Sequence, residues 1–113
     1  MLIPTPSRIL VARDPVDFRK QIDGLAAVCE VHLGEEPLDG TLFVFRNRRK
    51  TATNMLVWTH GGFLLLYKQL ERGRFCWPEL NEDRSTITPA ELAALLEGID
   101  LSRSRRLSRW NPK

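Results

Sequence analysis

Residues 41–70 read TLFVFRNRRKTATNMLVWTHGGFLLLYKQL, and the folding of this stretch decides the architecture. TLFVF (41–45) and NMLVWT (54–59) have the β-branched and aromatic content of strands. FLLLYKQL (63–70) reads as a third strand, although so short an apolar run also suits a turn or two of helix. Between the last two runs stands HGG, whose glycines suit a tight hairpin turn needing positive φ. Three strands in meander are the economical reading.

Upstream, SRILVA (7–12) is rich in Ile, Leu and Val and is expected to form a further strand. DPVD follows, with Asp14 placed as an N-cap, Pro15 at the first helical position and Asp17 near the positive helix end. A helix is therefore expected from this point. Phe18, Ile22, Leu25, Cys29 and Leu33 recur at spacings of three and four, which puts them on one buried stripe. Gly24 allows a break, and Gly34 is a natural stop. Downstream, TPAE places Thr88 as cap, Pro89 at the first helical position and Glu91 at the third, a capping box ahead of Leu92, Leu95 and Leu96. Gly98 ends that helix. The fold class is thus α+β: a single domain with a mostly antiparallel sheet of about four strands, one long and one short helix, and a basic C-terminal tail. Residues 1–100 form the domain, and 101–113, without apolar periodicity, are expected to order only on binding a partner.

The chain has 113 residues, 42% of them hydrophobic and 27% charged, close to globular averages and enough for one core. No apolar run reaches the ~20 residues of a membrane span, and prolines 4 and 6 break what would be the middle of a signal peptide. A soluble, cytoplasmic protein is expected. Cys29 and Cys76 are far apart, as are His32 and His60, so neither a zinc site nor a disulfide framework is signalled.

Net charge is only +3, but it is segregated. Residues 14–39 hold seven acids against two bases, and residues 40–78 hold seven bases against one acid, Glu71. Acids lead again over 79–100, and the tail has five bases and no acid. A local basic surface binds phosphate even on a nearly neutral molecule, because screening confines the field to ~8–10 Å. Arg46, Arg48, Arg49 and Lys50 fall at a strand end and in the loop after it, where long cations splay without disturbing a core. Lys68, Arg72 and Arg74 fall at the far end of the third strand, which a meander places at the same edge of the sheet. Tyr67, Phe75 and Trp77 either stack on bases or plug the sheet's edge. Arg103, Arg105, Arg106 and Arg109 with Trp110 give the tail the character of a nucleic-acid arm.

Catalytic chemistry finds little support. Capping accounts for Asp14 and Asp17, and polar loops account for Glu35, Glu36, Asp39, Glu79, Glu82 and Asp83. There is no phosphate-binding or dinucleotide-binding glycine motif, and neither histidine has the context of a general base. The expectation is a protein that is not an enzyme and needs no cofactor or metal. A nuclease holding a metal through Asp17 and Asp23 is the weakest rival.

Four ordered blocks, VDFRKQIDGLAA (16–27), PLDGTLFVFRNRR (37–49), GGFLLLYKQLERGRFCWP (61–78) and ELAALLEGID (91–100), resemble the TnpB accessory-protein family of insertion-sequence-66 transposable elements. That family is unrelated to the RNA-guided nucleases of the same name. The resemblance runs from about residue 3 to residue 106. It implies a bacterial mobile-element protein acting beside a separate transposase that carries the catalytic acids. It adds Arg19 and Lys20 of the FRK block to the candidate DNA-binding cations. The chain departs from the family pattern at Thr51, Ala52, Thr53 and Asn54, where charge is usual, and at Thr59 after Trp58. The implied partners are DNA of the element ends and the element's transposase; the rival is a module that docks on the transposase without touching DNA.

Overall fold

The computed structural model describes residues 6–31, 33–80 and 85–98. The basic tail, with Arg103, Arg105, Arg106 and Arg109, lies outside the described residues. In chain order the elements are β1 (Ile9–Val11), α1 (Ile22–Val31), β2 (Leu42–Arg46), β3 (Ala52–Thr59), β4 (Gly62–Gln69) and α2 (Pro89–Leu96). The strands form one sheet in the order β1-β2-β3-β4. β1 runs parallel to β2, with Ile9 beside Leu42, and the other pairings are antiparallel. The meander expected over residues 41–70 is therefore present, with FLLLYKQL as strand, and β1 joins it through α1 as a parallel crossover.

The strands lack alternation in sequence because both faces of the sheet are covered. On one face Ile9, Val11, Leu42, Val44, Met55 and Val57 pack with Phe75, Ile87 and Leu95 of the later chain. On the other, Leu10, Phe43, Phe45 and Leu56 pack with Leu25 and Cys29 of α1. Phe43, Phe45 and Leu56 are fully buried. A run such as LFVF alternates between two cores instead of between core and water.

The first helix begins later than Asp14 and Pro15 suggest. It covers ten residues from Ile22 against eight in α2, so the expected contrast of one long and one short helix is slight. The Val16 N–H is drawn to the Arg46 carbonyl (3.0 Å), and Asp17 closes a local turn by accepting from the Arg19 N–H (2.9 Å). The first bond withholds the Val16 N–H from a cap at Asp14, and the second withholds the Arg19 N–H from helical pairing with the Pro15 carbonyl. The apolar stripe survives nonetheless: Phe18, Ile22 and Leu33 all pack beside Leu25 and Cys29.

Two local signals act as expected. In α2, Thr88 accepts from the Glu91 N–H (3.1 Å) while the Glu91 carboxylate accepts from the Thr88 N–H (2.9 Å). The β3–β4 turn is a two-residue loop between the paired Thr59 and Gly62, with positive φ at His60 (50°) and Gly61 (81°). Both central residues are left-handed, the arrangement that matches strand twist. The strained position thus falls on His60, and Gly62 already belongs to β4.

Candidate nucleic-acid interface

At the end of the sheet away from the His60 turn, β2 and β3 are joined by a short loop built on one side chain. The Asn47 carbonyl oxygen of the amide accepts from the N–H groups of Thr51 (2.9 Å) and Ala52 (3.1 Å), and its NH2 donates to the Thr51 hydroxyl (2.9 Å). Lys50 is left-handed (φ 62°) and donates its N–H to the Asn47 carbonyl. With its polar groups satisfied inside the loop, Arg48 and Arg49 are left exposed and Lys50 half-buried.

After β4 the chain folds back over this loop. Leu70 N–H bonds the Thr51 carbonyl (2.9 Å) and Phe75 N–H the Lys50 carbonyl (2.7 Å), with Gly73 left-handed between them (φ 75°). Arg72 and Arg74, both exposed, are carried on the segment between these anchors. From the other side, the bond between Val16 and Arg46 lays residues 15–19 along the same end, where Pro15, Val16, Asp17, Phe18, Arg19 and Arg48 line a cleft of about 360 Å³. Three basic segments, distant in sequence, meet at one end of the sheet.

Two of the candidate cations are committed elsewhere. Arg46 turns inward: its guanidinium donates to the carbonyls of Arg13 (3.2 Å), Asn47 (3.2 Å) and Arg48 (3.4 Å), and lies 5.9 Å from the centre of the Trp77 ring. Burial draws its pKa below the ordinary value, against the pull of Asp14. Lys68 Nζ donates to the Leu96 carbonyl (2.6 Å) at the C-terminal end of α2, where the helix dipole favours a cation. Arg19 is exposed but paired, with its Nε and terminal nitrogen both reaching Asp17 at 2.7–3.1 Å. Those bonds, from the Arg19 side chain first and its backbone second, hold the Asp17 carboxyl down at about 2. Lys20 is exposed at the entry to α1, its stem over Gly24, where an added Cβ would meet the Lys20 Cβ at 3.1 Å.

The aromatics divide clearly. Phe75 is buried in the core, and Trp77 packs against the same cluster while its indole N–H donates to the Ala12 carbonyl (2.9 Å). Both plug the structure. Tyr67 is 58% exposed and meets Phe18 edge-on at 6.1 Å, so it is the aromatic left open beside the basic end. Arg13, not singled out in the sequence, is exposed at this same end; its position immediately after the first strand was the available signal.

Among the described residues no group of three or more His, Cys, Asp or Glu is placed to hold a metal ion. Asp17 is engaged by Arg19, and Asp23 sits in the first turn of α1. No helix among them is long and apolar enough to cross a membrane.

Residues 7–106 match the family of IS66 Orf2-like proteins. The chain is 36% identical over 99 residues to the uncharacterized protein y4jC of Sinorhizobium fredii, covering 88% of this chain and 85% of that one. It is 38% identical over 106 residues to y4hO of the same organism, covering 93% and 90%. No solved structure matches.

Proposed function

The chain belongs to the IS66 Orf2-like family, and from that premise we propose that it is a non-catalytic accessory of insertion-sequence transposition that binds DNA through the basic end of its sheet and works beside the element's transposase. The observation that carries this reading is the convergence of Arg48, Arg49 and Lys50 with Arg72 and Arg74, flanked by Arg13, Arg19 and Lys20. Long exposed cations on a rigid loop suit phosphate contacts, which position a protein on DNA without reading bases. The acids at hand, Asp14 beside Arg13, Asp17 beside Arg19, and Glu71, are outnumbered and leave the cluster net positive.

Fluorescence anisotropy with labelled duplex and single strands from the element ends, over a salt series, tests this. Each lost phosphate contact lowers the slope of log K against log salt by ~0.9 on duplex DNA. Arg48→Ala with Arg49→Ala is therefore expected to flatten the slope by about 2. Absence of binding at low salt, or binding indifferent to salt, would favour docking on the transposase without DNA.

A further inference from the structure

The two edges of the sheet are treated differently. β1 is short and covered: Val11 N–H donates to the Ser85 carbonyl and Ile87 N–H to the Ile9 carbonyl, with Leu10 bridged to Thr86. β4 has eight residues, pairs among the described residues only with β3, and keeps that register without a bulge from Thr59 beside Gly62 to Ala52 beside Gln69. Exposed edges are normally blunted by proline, lysine or a bulge. Residues 62–67, GFLLLY, contain none of these.

The ladder's phase tells which groups are open. In a two-residue hairpin the pair flanking the loop, here Thr59 and Gly62, exchanges hydrogen bonds, and alternate pairs then do the same. The Leu70 bond to Thr51 is in phase with this. The backbone N–H and C=O of Phe63, Leu65 and Tyr67 therefore point away from β3.

We propose that this edge is the seam of a two-fold homodimer, in which β4 pairs antiparallel with β4 of a second copy across a dyad at Leu65. The strand is self-complementary in that register. Phe63 meets Tyr67 of the second copy and Leu65 meets its own counterpart on the α1 face, while Leu64 meets Leu66 of the second copy on the α2 face. Because partners have equal parity, both apolar faces continue across the seam. Charge agrees: Lys68, the one ionisable side chain of β4 besides Tyr67, faces Gly62 of the second copy and is already bonded to Leu96. No like charges are opposed. Leu70 lies five residues from the dyad, so at ~3.4 Å per residue the two basic ends stand roughly 35 Å apart, about one turn of B-DNA. That corollary rests on the DNA-binding reading; the dimer itself does not.

The test is the mass of the full chain in solution by sedimentation equilibrium, together with amide exchange of β4 by NMR. A dimer in which the amides of Phe63, Leu65 and Tyr67 are protected, alongside the inward amides of Leu64 and Leu66, is expected. Tyr67→Pro removes an outward N–H at an exposed edge position and leaves the β3 ladder intact; it should give a monomer with unchanged far-ultraviolet circular dichroism. A wild-type monomer at all micromolar concentrations overturns the proposal, as does a dimer whose outward amides exchange freely. Protected outward amides in a monomer also overturn it, since another segment of the same chain would then be covering the edge. Failure of the oligonucleotide titrations would leave the dimer standing, and a monomer that binds DNA would leave the DNA reading standing.

Discussion

Trp77 and Arg46 form the clamp that holds the basic end together, and removing either should cost stability in a coupled way. Trp77→Phe keeps an aromatic plug but loses the indole bond to the Ala12 carbonyl, 2.9 Å, a net contribution of about 1 kcal/mol. It also weakens the stacking of the Arg46 guanidinium, 5.9 Å from the ring, by about 0.5–1 kcal/mol. The expected loss is about 1.5–2 kcal/mol, and each kcal/mol lowers the melting temperature by roughly 4–8 °C for a domain of this size. Arg46→Met preserves the stem and removes the bonds to the Arg13, Asn47 and Arg48 carbonyls. Urea unfolding of both single variants and the double variant, followed by circular dichroism, gives the cycle. A coupling of about 0.5–1 kcal/mol is expected, because each residue positions the other. Additivity within about 0.3 kcal/mol would refute the clamp, as would a neutral Trp77→Phe. Folded Arg46→Met should keep the salt slope of DNA binding, in contrast to the Arg48 and Arg49 pair, because its guanidinium is spent on carbonyls.

Thr88→Ala should destabilise by about 1 kcal/mol through loss of the cap to the Glu91 N–H, and Thr88→Ser should restore most of it; thermal melts decide. His60→Asn should raise stability by roughly 0.5–1 kcal/mol in the same assay, since asparagine tolerates the left-handed turn position better than histidine. Thiol labelling of the native protein at mildly alkaline pH should modify exposed Cys76 and spare buried Cys29, whose thiol is pushed up to about 12 by desolvation, with Glu30 and Glu35 adding to it. The unfolded chain releases that proton from about pH 9 and the folded chain does not, so stability should fall as pH rises above 9, and Cys29→Ala should flatten the fall. Equal labelling of both thiols in the folded protein would contradict the burial.

Where structure follows from neighbours in sequence, it was legible there. The capping box at Thr88 and Glu91, the left-handed turn before Gly62, the apolar runs of the meander and the basic residues around Arg48 each depend on contacts within a few positions. The stripe from Phe18 to Leu33 was legible too, because its side chains meet one surface whether or not every residue between them is helical. Tertiary structure decided the rest. Pro15 and Asp17 suit a helix start locally, yet Val16 gives its N–H to Arg46, an acceptor that exists only once β2 is in place. Parallel pairing of β1 to β2 depends on the path of the crossover, which no local pattern encodes. Arg46 and Lys68 carry the same charge as Arg48 and Arg72, but three backbone carbonyls claim one and a helix end claims the other. Sequence determines which side chains carry charge; the fold determines which of those charges remain free, because hydrogen-bond acceptors distant in the chain compete for them.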